Sequence, residues 1–184
     1  LHFGTEVHRL IDEDKCGFFV PGIFGYKGEW VKGAFVGSSG WGDTATITPF
    51  TMYLCYGDPQ ILENQYQSAK KWTDYMIASA REENENRLDE PEYNTWVNGV
   101  RDADYLFDTK FHFGEWLEPG SEESGNPTEQ DLEAQKKRTD SLVATVYMYN
   151  SCNLVSRMAA IMGNKEDEGF YRDYAKEIKR VYNK

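Results

Sequence analysis

Between Asp58 and Ala80 the apolar residues Leu62, Tyr66, Ala69, Trp72, Met76 and Ala80 recur every three or four positions. That spacing places them on one side of a helix and excludes a strand, whose side chains alternate with a period of two. Asp58-Pro59 suits the start, with a carboxylate at the cap and Pro where its missing N–H costs nothing. Three further segments read the same way. One follows the stretch SSGWGDTATITPF and carries Ile47, Phe50, Met52, Tyr53 and Leu54 to a stop at Gly57. Another runs from about Asp140 to Met162, with Val143, Val146, Tyr147, Leu154, Met158 and Ile161 on one side. The last begins at Asn164 and carries Tyr171, Tyr174, Ile178 and Val181, with Glu166 and Asp167 favourably placed near its N-terminal dipole.

The joints between paired helices are short: Tyr56-Gly57-Asp58-Pro59 and Met162-Gly163-Asn164. Tight joints make antiparallel neighbours, so the chain reads as an all-α fold of helical hairpins. Long irregular stretches lie between them, Cys16 to Gly42 and Pro91 to Gln135, and loops of that length are usually functional or disordered. Strand is expected only as short pieces, around Gly17 to Val20 or Tyr105 to Phe113. The start, TEVHRLIDED, could be the end of a further helix.

The 184 residues suffice for one ordinary domain. A formal charge of −11 argues against binding a nucleic-acid backbone or an anionic membrane surface. The acids gather in Arg81 to Glu92 and Glu118 to Glu133, which read as solvated loops. No apolar run approaches the ~20 residues of a membrane span, and no signal peptide is visible. Cys16, Cys55 and Cys152 form neither a metal pair nor a disulfide framework. Cys55 and Cys152 lie in apolar helical patterns, as small core residues do. No metal or cofactor is expected.

Aromatics make up 15% of the chain, with five Trp, twelve Tyr and ten Phe. Such residues build cores, and in excess they also line sites for ring-shaped ligands. Two loop motifs point to the second use: Gly40-Trp41-Gly42-Asp43 and Gly114-Glu115-Trp116 each set Trp beside Gly and a carboxylate. Trp offers a flat face to the C–H side of a sugar, and a carboxylate can accept two hydroxyl hydrogen bonds. Each residue has a plain structural reading too. Asp43 suits the N-cap of the helix that follows, Glu115 could be a loop charge, and Trp41 and Trp116 could be core. Asp102, Asp104 and Asp108 add acids near the second motif without calcium-loop spacing. His112, between two Phe residues, reads as packed core. No phosphate-binding Gly-rich loop, nucleophile elbow or zinc-protease motif is present.

In order and spacing, SSGWGDTATITPFTMYLCYGDPQILENQYQSAKKWTDYM, then FHFGEWLEPG, then DSLVATVYMYNSCNLVSRMAAIMGNKEDEGFYRDYAKEIKRVYN resembles the bacterial α-L-rhamnosidases of glycoside hydrolase family 78. That family has a GWGDA-type turn opening a helix, a YGD-type joint, and a W-x-x-Y/W helix matched by Trp72 and Tyr75. A GDWL-type loop follows, then a helix beginning I/V-A-T-A/V-Y, matched by Val143 to Tyr147. The likeness covers nearly all of residues 15 to 184.

The resemblance implies that residues 1–184 are part of a catalytic (α/α)6 barrel, a toroid of twelve helices, in an enzyme that cleaves terminal α-L-rhamnosyl linkages with inversion. It implies Trp41, Asp43, Glu115 and Trp116 as substrate-binding residues, with Glu115 standing where the family usually has Asp. The family's general acid lies in a D-x-x-x-x-E-R-x-G-W-x-G-D motif that this chain lacks, and its general base lies beyond Lys184. The chain by itself is therefore expected to hydrolyse nothing, and to self-associate through apolar helix faces left uncovered. A rhamnose-containing carbohydrate is the expected partner, and secretion to the periplasm or outside suits such an enzyme. Two alternatives stay open: another (α/α)6 glycosidase or lyase, and a non-catalytic helical carbohydrate-binding module.

Overall fold

The stripe Leu62, Tyr66, Ala69, Trp72, Met76 and Ala80 is wholly buried, at most 3% exposed at any position, so the helix forms where its spacing requires. The computed structural model describes residues 37–82, 95–97, 99–108, 112 and 129–184, the stretch 129–139 by its backbone alone. Among these residues the helices are α1 (Thr44–Tyr56), α2 (Gln60–Ala80), α3 (Glu129–Met162) and α4 (Lys165–Tyr182). Between α2 and α3 lie β1 (Trp96–Val97) and β2 (Val100–Arg101), then one 3-10 turn, Asp102–Tyr105. The two strands pair antiparallel, Trp96 opposite Arg101 and Val97 opposite Val100.

Both joints close as their residues dictate. The Asp58 carboxylate accepts from the Gln60 amide at 3.0 Å and opens α2. At the end of α3, Gly163 takes φ 78°, the left-handed conformation that only Gly adopts at little cost. Its amide donates to the Ala160 carbonyl at 3.2 Å and that of Asn164 to Ala159 at 2.9 Å, the double bond of a Schellman end. Asn164 then caps α4, its side chain accepting from the Asp167 amide at 3.1 Å. The α4 stripe Tyr171, Tyr174, Ile178 and Val181 is buried as expected. The described residues are thus predominantly helical, in consecutive hairpins α1–α2 and α3–α4, with α3 touching each of the other three helices.

Several expectations are corrected. α3 begins at Glu129, eleven residues before Asp140, because EQDLEAQKKR is built almost wholly of strong helix formers. Its charge had the look of a loop. The buried face of α3 is Ala144, Met148, Cys152, Val155, Met158 and Ala159, not the stripe through Val143 and Val146. Of that stripe only Met158 is buried, while Val146 and Ile161 are 46% and 41% exposed. Apolar residues occur on several sides of α3, and periodicity alone does not choose among them. The small residues Ala144, Ser151, Cys152 and Ala159 do, since they let neighbouring helices approach. The strands lie at 96–101, and Tyr105 belongs to the 3-10 turn; the stretch 17–20 and the segment TEVHRLIDED lie outside the described residues. Cys152 is buried but Cys55 is exposed, because the last turn of α1 turns Leu54 and Tyr56 to the surface as well.

Two polar clasps fasten α4. On α2, the Tyr66 hydroxyl donates to Asp167 at 2.6 Å, Lys70 reaches Asp167 at 3.2 Å and the Tyr171 oxygen at 2.8 Å, and the Tyr171 hydroxyl donates to Asp74. Burial first, then these carboxylates, push both phenols well above the usual tyrosine range, so each remains a donor. At the other end, fully buried Asp102 pairs with Arg180 at 2.6 Å and with Lys184. The Arg180 hydrogen bond, opposed by burial and reinforced by Lys184, holds the Asp102 carboxyl below its usual range.

Candidate functional site

The turn Ser38 to Asp43 leads into α1 through successive backbone bonds. The amides of Gly42, Thr44 and Ala45 reach the carbonyls of Ser38, Trp41 and Gly42 at 3.2, 3.2 and 3.0 Å. Those of Thr46 and Ile47 both reach the Asp43 carbonyl, at 3.0 and 2.9 Å. The first amides of the helix are therefore satisfied by backbone oxygens. Asp43 occupies the N-cap position, but its side chain makes no capping bond, which corrects the expectation that it caps α1.

The carboxylate turns inward. It is fully buried and accepts three hydrogen bonds. The Gly40 amide donates to Oδ2 at 2.8 Å. Trp72 Nε1–H, from α2, and the Ser151 hydroxyl, from α3, donate to Oδ1 at 3.1 and 2.6 Å. Ser151 Oγ also lies 2.7 Å from Thr46 Oγ1, and the Thr46 hydroxyl donates to the Asp43 carbonyl at 3.0 Å. Among the described residues no cation pairs with Asp43. Burial raises its pKa above the ordinary 3.8, against the opposing pull of the bonds from Ser151, Gly40 and Trp72.

Gly42 packs so closely on Trp72 that a Cβ there would lie 2.1 Å from the indole. Any larger residue would force the two apart. With Gly40 tied to Asp43 and Gly42 pressed on Trp72, the residue between them is carried outward: Trp41 is 46% exposed. The turn is held from a further side by His112, which is buried and whose Nδ1 accepts from the Ser39 amide at 3.2 Å. Its ring meets Phe107 edge-on, with centroids 4.4 Å apart.

Of the four residues expected to bind substrate, Trp41 and Asp43 are brought together in one turn, the first at the surface and the second beneath it. Glu115 and Trp116 lie outside the described residues. Of the acids near the second motif, Asp102 is spent on Arg180 and Lys184. Asp104 pairs with Arg101 at 3.2 Å, and Asp108 is buried. Among the described residues no group of three His, Cys, Asp or Glu is placed to hold a metal, and no helix is long and apolar enough to cross a membrane. Sequence reasoning missed Ser151 and Thr46 as partners of the turn. A Ser and a Thr on helix faces carry no motif, and only the packing of α3 on α1 joins them.

Residues 12–184 match the family described as the bacterial alpha-L-rhamnosidase 6 hairpin glycosidase domain. Similar curated proteins include an "Alpha-L-rhamnosidase" of Alteromonas sp. (strain LOR), 30% identical over 98% of this chain and 16% of its own length. Another, from Formosa agariphila, is 26% identical over 79% of this chain and 12% of its own length. A third, from Streptomyces avermitilis, is 27% identical over 79% of this chain and 10% of its own length. The chain thus spans a sixth or less of these relatives. No solved structure matches it significantly.

Proposed function

Because the chain belongs to the family of bacterial α-L-rhamnosidase six-hairpin glycosidase domains, we propose that it is a portion of the catalytic (α/α)6 barrel of a glycosidase that removes terminal α-L-rhamnosyl residues from glycans or glycosides. Its part in that work is to furnish a wall of the sugar pocket. The observation that carries this reading is the Gly40–Asp43 turn, in which a buried, triply hydrogen-bonded carboxylate fixes the backbone that bears a surface indole. An indole face stacks on the C–H side of a pyranose. Holding it rigidly lowers the ordering cost of each binding event. Asp43 serves the pocket by fixing this turn, and Glu115 and Trp116 of the second loop motif are proposed to complete the wall.

Inverting hydrolysis needs one carboxyl to protonate the leaving oxygen and a second to activate water from the opposite face, about 6.5–9.5 Å apart. Of the described acids, Asp43, Asp102 and Asp104 are each engaged by protein donors, and the D-x-x-x-x-E-R-x-G-W-x-G-D motif is absent from the sequence. On this reading the 184-residue chain supplies substrate contacts and not the acid–base pair. The test is a panel of aryl glycosides given to the purified chain and to the longest natural protein that contains it. The longer protein should cleave the α-L-rhamnoside in preference to other sugars while the chain cleaves none. Turnover by the chain, or a preference for another sugar, would overturn the corresponding part of the reading.

A further inference from the structure

The backbone on either side of Trp41 is held by residues of the turn and of two distant helices. Its two neighbours are each immobilised by a different partner: Gly40 through its amide bond to Asp43 Oδ2 at 2.8 Å, and Gly42 through contact with the Trp72 ring. Asp43 in turn has two side-chain donors, Trp72 Nε1–H on α2 and Ser151 Oγ–H on α3. A carboxylate rotated about its Cβ–Cγ bond would lose these donors together with that of Gly40, so its orientation is fixed by helices α2 and α3 jointly. Thr46 completes the arrangement, since its hydroxyl lies 2.7 Å from Ser151 Oγ and donates to the Asp43 backbone carbonyl at 3.0 Å, so that it touches both partners of the bond. Asp43, Trp72, Thr46 and Ser151 are all buried, where hydrogen bonds to a charged acceptor are strong and an unmade one is costly.

We infer that Ser151 and Trp72, with Thr46 behind Ser151, are positioning residues that act through Asp43 to set the angle at which Trp41 meets a sugar. The inference rests on the reading of Trp41 as a sugar-binding face. It adds that affinity at this face depends on the docking of α3 against α1 and α2, and not on the turn alone.

The experiment uses the full chain labelled with 5-fluorotryptophan, the Trp41 resonance being assigned through Trp41→Phe, and titrated with L-rhamnose. Ser151→Ala and Thr46→Val, the second almost isosteric and chosen to fold if the first is poorly tolerated, should both shift the Trp41 fluorine resonance of the free chain. Both should weaken L-rhamnose binding by about three- to tenfold, the effect of one lost hydrogen bond. Ser156→Ala serves as control: it deletes a hydroxyl on the same helix that donates to the Glu168 carbonyl at 2.8 Å, away from the turn. It should leave the Trp41 resonance and the affinity unchanged. The inference is overturned if neither Ser151→Ala nor Thr46→Val moves the Trp41 resonance, or if Ser156→Ala moves it equally. A wild-type chain that binds no L-rhamnose overturns the functional reading instead, and the fluorine shifts then decide positioning by themselves.

Discussion

The Ser151 hydroxyl donates to Asp43 Oδ1 at 2.6 Å across 108 positions of sequence, and this bond joins the third helix to the turn that opens the first. Asp43→Ala removes the acceptor of three donors at once, two of them buried. We expect a loss of about 3 kcal/mol of stability, since each bond to a charged group contributes roughly 1.5–3 kcal/mol and burial of the charge offsets part of the sum. Urea unfolding followed by far-ultraviolet circular dichroism measures it, and a loss under ~1 kcal/mol would show the network to be weak.

The same carboxyl should leave a mark on pH dependence. Its pKa is raised in the folded chain, so the folded state holds this proton more tightly than the unfolded one. The contribution is complete below the ordinary value near 3.8 and is lost as pH rises through the folded value. Asp102 runs the other way: its pKa is lowered, so its contribution is present above the ordinary value and lost as pH falls through the folded one. Because the two oppose each other in the wild type, Asp43→Asn is the informative variant. The stability of wild type minus that of Asp43→Asn should decline with rising pH above the ordinary carboxylate range. A difference independent of pH would contradict the burial assigned to Asp43.

Much of this frame is legible in the sequence, and the exceptions have physical causes. The α2 and α4 stripes, Leu62 to Ala80 and Tyr171 to Val181, are one-sided patterns that open just after Asp58-Pro59 and Asn164, and each is buried as spaced. α3 is not one-sided, so its buried face follows from which residues are small enough for close packing, a matter settled by its neighbours. The β1–β2 hairpin carries an Asn-Gly pair in sequence, with Gly99 at φ 78°, and that pair is a known hairpin cue. In the candidate site, Gly-Trp-Gly-Asp marks the turn. The use of Asp43 does not follow from the motif, because whether a carboxylate caps a helix or enters the core depends on donors that arrive from α2 and α3.

Gly42→Ala tests the close approach of turn and α2. A Cβ 2.1 Å from the Trp72 ring must displace the indole or the turn, and overpacking of this kind costs about 1–3 kcal/mol. Thermal unfolding should show a lower midpoint, together with a blue or red shift of tryptophan emission. An unchanged midpoint would mean that the contact yields freely.

Removing Arg180 leaves the fully buried Asp102 with Lys184 as its remaining ion-pair partner. Arg180 itself is partly solvated, so Arg180→Ala should cost about 2 kcal/mol and not the larger loss typical of a wholly buried pair. The loss should shrink as pH falls and Asp102 is protonated. Denaturant titrations at pH 7 and in acid provide the comparison, and equal losses at both would count against the pairing.

The two described cysteines should differ in reactivity. Cys152 is buried, and burial pushes its thiol well above the ordinary 9.0, whereas Cys55 is exposed. Thiolate and access both control alkylation. Iodoacetamide under native conditions, read by peptide mass spectrometry, should label Cys55 and spare Cys152 until the chain unfolds. Early labelling of Cys152 would contradict its place in the core.

Trp41 as a sugar-binding face is the proposal from which the others follow. The most direct measurement is an L-rhamnose titration of the full chain and of Trp41→Ala, followed by saturation-transfer NMR, with D-glucose as the comparison sugar. Binding should be weak, in the millimolar range that a single stacking face provides. It should favour L-rhamnose and disappear in Trp41→Ala while the fold is retained. Equal saturation transfer in the variant and the wild type, or no preference for L-rhamnose, would contradict the account.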